Sequence, residues 1–118
     1  MSVHEFSIVM GMVDEVTRIA GDNHALKVTS LNLKIGRRSG IVIDSMKFAF
    51  DAVKPEYPLL SSAELFIEEI PLMYECYDCR MKFETDDLFF PSCPYCTSFN
   101  LKLLSGEELD ITNIELEV

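Results

Sequence analysis

The chain has 118 residues, enough for one domain or for one domain carrying a small metal-bound lobe. Hydrophobic residues make up 48% of it, which excludes intrinsic disorder and allows a packed core. Ten Lys and Arg against 20 Asp and Glu give a formal charge of -10, which argues against nucleic acid and favours cations and basic partner faces. No apolar run is long enough to span a bilayer and no targeting segment opens the chain, so a soluble cytoplasmic protein is expected.

Residues 4–21 read as an amphipathic helix. Phe6, Val9, Val13, Val16 and Ala20 recur at three- and four-residue steps, Met12 and Ile19 widen the stripe, and Asp14, Glu15 and Arg18 lie off it. Gly21 is the expected left-handed cap. Over 26–35 the period drops to two, with Leu31, Leu33 and Ile35 alternating with Ser30, Asn32 and Lys34, as in a strand with one buried face. A second helix starts near Asp44, its expected N-cap, and its apolar face is Ile43, Met46, Phe50 and Val53 with Phe48 and Ala49. Pro55 and Pro58 end it.

Residues 63–70 form a second strand with Ala63, Leu65 and Ile67 inward. A third leaves the cysteine region through Phe99, Leu101 and Leu103. The tail is strand-like again, but its apolar parity switches at Thr112-Asn113, from Leu109 and Ile111 to Ile114, Leu116 and Val118. A bulge there would keep both halves facing the core. So apolar a tail must pair, and it is expected to join the strands at 26–35 and 63–70. The fold class is therefore α+β, two helices on one face of a three-stranded mixed sheet with an inserted zinc-ribbon lobe. The α+β part is 1–70 plus 107–118, and the lobe is 71–106.

All four cysteines fall in that lobe as Cys76-Tyr-Asp-Cys79 and Cys93-Pro-Tyr-Cys96. Two Cys-x-x-Cys loops supply the four sulfurs of a tetrahedral zinc site, and a closed tetrathiolate is structural rather than catalytic. Disulfides would need an oxidising compartment, which nothing at the start of the chain indicates. A redox dithiol would use one motif and leave the other idle. Iron in a rubredoxin-like site usually has glycine after the second cysteine of each knuckle, where this chain has Arg80 and Thr97.

By residue type alone, His4 and Glu5 are an ordinary helix start: Glu complements the dipole and an early His is usually just solvated. Position adds something. A His close to a free amino terminus can join the terminal amine and deprotonated amides in the planar nitrogen set that suits Ni(II) or Cu(II). Loss of Met1, favoured by the small Ser2, would leave Ser-Val-His and four such nitrogens.

The chain resembles the HypA/HybF family of hydrogenase maturation nickel chaperones over nearly its whole length. The resemblance is carried by His-Glu-Phe-Ser-Ile at 4–8, Lys-Ile-Gly at 34–36, Phe-Ala-Phe at 48–50 and Ala63-Glu64-Leu65. The two cysteine pairs and Gly106-Glu107-Glu108-Leu109 complete it. It implies a non-enzymatic protein that receives Ni(II) and helps insert it into the large-subunit precursor of [NiFe]-hydrogenase, working with a nickel-handling GTPase, with urease a second client in some bacteria. It further implies nickel binding by His4 and Glu5, structural zinc on Cys76, Cys79, Cys93 and Cys96, and a monomer or weak homodimer. Two departures stand out: Ser2 and Val3 separate Met1 from His4, where the family's histidine directly follows Met, and Arg37 replaces a common Glu at what is expected to be a helix-facing contact. The alternative is a zinc-ribbon protein-interaction module without metal transfer. An enzyme is disfavoured, since no histidine adjoins a cysteine in sequence and no phosphate loop or nucleophile–base motif is present.

Overall fold

The computed structural model describes residues 3–118; the proposals involving Met1 and the terminal amine lie outside the described residues. Helix α1 (Val3–Asp22) is followed by β1 (Lys27–Gly36), α2 (Ile43–Val53), two single 3₁₀ turns at Lys54–Glu56 and Pro58–Leu60, and β2 (Glu64–Ile70). Then come β3 (Met73–Cys76), β4 (Lys82–Glu84), β5 (Leu101–Ser105) and β6 (Leu109–Glu117). The strands make two three-stranded sheets, ordered β2-β1-β6 and β4-β3-β5. Two compact units result. The first comprises the chain up to Leu33, Ile41–Glu68 and Asp110–Val118; the second comprises Lys34–Gly40 and Glu69–Leu109.

In the first unit β6 runs antiparallel to β1. Leu26 N–H donates to the Glu117 carbonyl, Thr29 Oγ1 to that of Glu115, and Thr112 Oγ1 to that of Asn32. β1 reaches β2 through α2, the crossover that a parallel pair requires, so the sheet is mixed. The core comes from Val9, Met12, Val13, Val16 and Ala20 of α1, Met46, Ala49, Phe50 and Val53 of α2, and Val28, Leu31 and Leu33 of β1. Each helix contributes one face, as the three- and four-residue steps require. Phe6 and Phe48, assigned to those faces by periodicity, are instead exposed.

Both helix ends differ from the expected caps. α1 runs through Gly21, and the left-handed residue is His24, at φ 54°. Ala25 N–H bonds the Ala20 carbonyl and His24 N–H that of Gly21, which together make a Schellman motif with His24 at C′. Asp44 lies in the first turn of α2, and the N-cap is Val42, whose side chain has no group to cap with. The tail also differs: β6 is one continuous strand with Leu109 and Ile111 exposed, and Ile114 and Leu116 half-buried. Strand alternation thus turns its first half away from the core.

In the second unit β3 is central, antiparallel to β4 (Tyr74 opposite Phe83) and to β5 (Cys76 opposite Leu101). Leu72, Tyr74 and Phe83 are buried there, packed with Cys76 and Cys93. Gly36 abuts Gly106 so closely that a Cβ at Gly36 would lie 2.1 Å from the Gly106 carbonyl carbon. Arg37 pairs with Glu69 and Asp86, so its partners are strand and loop carboxylates rather than a helix.

Candidate metal centre

The two cysteine motifs fold as matching knuckles. After Cys76, Arg80 N–H returns to the Cys76 carbonyl at 2.9 Å; after Cys93, Thr97 N–H returns to the Cys93 carbonyl at 2.8 Å. Arg80 and Thr97 both sit at φ 64°, in the left-handed region. This is the position where glycine would be least strained, and a β-branched residue there is unusual. The knuckle geometry is kept without glycine.

The knuckles bring all four sulfurs within 4.8 Å of one another. Cys76 Sγ lies 3.5 Å from Cys96 Sγ, and Cys79 Sγ lies 3.5 Å from Cys93 Sγ. A tetrahedron with Zn–S near 2.3 Å has sulfur–sulfur edges of about 3.8 Å, inside this span. None of the four is in a disulfide. Backbone N–H groups are aimed at the sulfurs: Tyr95 N–H donates to Cys93 Sγ at 3.4 Å, and the amides of Cys79 and Asp78 face Cys76 Sγ.

These donors favour thiolates, but four thiols this close cannot all ionise unaided. The Cys79 amide, with that of Asp78 and the neighbouring thiols, draws Cys76 down to about 7 against the cost of burial. At Cys96 the Ser98 amide favours the thiolate, yet desolvation and the other three cysteines push it up to about 12. Cys79 is likewise raised, although the Met81 amide opposes burial and Cys93. A dication at the centre removes that conflict, because a coordinating thiol is deprotonated outright. The residues fit a structural zinc, and among the described residues this is the one cluster with metal-ligand geometry.

At the other end of the chain, His4 and Glu5 begin α1 but diverge. His4 is exposed. Glu5 is only 2% exposed, and its Oε1 accepts the Val42 N–H at 3.0 Å. That amide holds the Glu5 carboxyl below its ordinary range, against the cost of burial. α1 therefore supplies the cap that α2 lacks. Sequence reading missed this because a long-range hydrogen bond to a backbone amide leaves no local pattern. The knuckle amides of Met81, Tyr95 and Ser98 were signalled only by the Cys-x-x-Cys spacing itself.

Residues 3–116 match the family model described as HypA, hydrogenase/urease nickel incorporation, metallochaperone. The chain belongs to the HypA family. It is 36% identical over 115 residues to a hydrogenase maturation factor HypA from Chlorobaculum parvum, covering 98% of this chain and 100% of that one. It is 37% identical over 115 residues to the HypA of Geobacter metallireducens, with the same coverage. Among solved structures it is similar to the nickel metallochaperone HypA from Helicobacter pylori, with a TM-score of 0.65 and 26% identity over 96% of this chain and 97% of that one. A second HypA solution structure gives a TM-score of 0.71 and 28% identity, covering 98% of each chain. HypA proteins form a nickel-incorporation family of metallochaperones acting in hydrogenase maturation. No described helix is long and apolar enough to cross a membrane.

Proposed function

We propose that this HypA-family chain is a cytoplasmic, non-enzymatic carrier that binds one Ni(II) at its amino-terminal end. It passes the ion, with a nickel-handling GTPase, to the [NiFe]-hydrogenase large-subunit precursor. The observation that carries this reading is the family match from residue 3 to 116, which includes the His4-Glu5 start and both cysteine pairs. His4 supplies an imidazole and Glu5 belongs to the same nickel site. The zinc lobe is scaffold and docking surface. An exposed imidazole supports the reading, because a carrier must give its ion up and nitrogen ligands at a helix start are easier to strip than a sulfur cage.

The test is Ni(II) titration of the zinc-loaded protein beside His4→Ala, with restoration of hydrogenase activity in a strain lacking the chaperone. One nickel per chain that disappears in His4→Ala, together with lost maturation, is expected. Wild-type nickel affinity in His4→Ala would place the site elsewhere. A zinc-ribbon interaction module is the second reading. It is favoured by Phe89 and Phe90, 81% and 82% exposed on a loop whose backbone amides are tied to Asp87 Oδ1. That reading predicts a zinc protein with no specific nickel uptake.

A further inference from the structure

The first turn of α1 presents two chemically able side chains in opposite situations. Successive helix residues point about 100° apart, so His4 and Glu5 cannot share a direction. His4 faces solvent, whereas Glu5 is buried and bonded to Val42 N–H at 3.0 Å. Val42 is the N-cap of α2, has an extended backbone at φ -86° and ψ 108°, and receives no side-chain cap from its own helix. A helix start leaves several N–H groups without intrahelical acceptors. Here a carboxylate from another helix takes one of them, in the charge-assisted form that is the stronger kind.

We propose that Glu5 is the positioning residue of the nickel site and not a ligand to the ion. Its carboxylate pins the first turn of α1 to the start of α2, so that the His4 imidazole is held outward with its conformational freedom already reduced. The assignment rests on the nickel-carrier reading above. For Glu5 to ligate the ion beside His4, its carboxylate would have to leave a buried position and abandon the Val42 amide. A preorganised donor binds more tightly because less freedom is lost on binding. Loss of the pin therefore weakens nickel binding without changing which atoms touch the metal.

Glu5→Gln and Glu5→Ala separate the roles. The Gln carbonyl can still accept from Val42 N–H, but a neutral amide oxygen is a poor replacement for a carboxylate ligand. Zinc-loaded wild type, Glu5→Gln, Glu5→Ala and His4→Ala are titrated with Ni(II) alone, and the nickel absorption spectrum is recorded at saturation. Glu5→Gln should bind within about twofold of wild type and Glu5→Ala about tenfold more weakly, with the same spectrum in all three. The Val42 amide resonance should move in Glu5→Ala and stay near its wild-type position in Glu5→Gln. Equal losses in both variants with an altered spectrum would make Glu5 a ligand and overturn the assignment. So would Glu5→Ala binding as tightly as wild type, or tighter. If Glu5→Ala does not fold, Glu5→Gln decides alone: wild-type affinity and spectrum uphold the assignment, and loss of either overturns it. His4→Ala binding nickel like wild type would instead defeat the carrier reading, a separable result.

Discussion

The cysteine knuckles and the start of α1 present metal-ligating residue types in opposite ways. In the lobe, four sulfurs converge from two hydrogen-bonded knuckles, Cys76 and Cys93 are buried, and backbone amides are aimed at the sulfurs. At the start of α1 one imidazole is exposed on a helix end, and its neighbouring carboxylate is occupied elsewhere. A closed cage of four sulfurs suits an ion that stays, and the proposed sparse nitrogen site suits an ion that moves on. The two units are stabilised differently as well. The helices and their sheet bury a broad apolar core, while the lobe buries few apolar side chains besides its cysteines, so a bound ion is expected to supply much of its stability.

The strongest way to break that contrast is to exchange the losses. Chelation of the metal should remove folding energy on the order of 10 kcal/mol from the lobe, and Cys93→Ser a smaller part of it. Its amide resonances should collapse while those of α1 and α2 persist. Phe50→Ala, at a fully buried position of α2, should cost about 3–5 kcal/mol. It should lower the denaturant midpoint of the helical unit and leave zinc retention unchanged. If both changes melt both units equally, the two are not independently stabilised.

A finer test concerns knuckle strain. Thr97 holds φ 64° with a β-branched side chain, so Thr97→Gly should stabilise the metal-bound lobe by about 1 kcal/mol. Slower zinc loss to a competing chelator would report it. Unchanged or faster loss would mean that the Thr97 Oγ1 bond to the Cys96 carbonyl at 2.6 Å already offsets the strain.

Much of this was legible in the sequence because it is periodic or closely spaced. The helix stripe from Val9 to Ala20, the alternation of Leu31 and Leu33, and the two cysteine pairs each encode their environment within a few residues. Structure departs from local pattern where a distant partner decides the outcome. Gly21 suited a left-handed cap by composition, yet the helix ran on and the Schellman bonds put His24 there. Asp44 suited an N-cap, yet Val42 holds that place and Glu5, 37 residues earlier, receives its N–H. Leu109 and Ile111 suggested a bulge by parity, but β6 runs on as one strand and leaves them exposed. At the start of α1 the residue types could be read from the sequence, and only the fold separated the exposed His4 from the buried Glu5.

We propose that one metal is kept and the other is carried. Native mass spectrometry of the protein loaded with one zinc and one nickel, followed during addition of a mild chelator, tests it directly. Nickel should leave first and completely while one zinc remains on a folded chain. Zinc departing with or before nickel, or nickel resisting a chelator that strips the zinc, would contradict it.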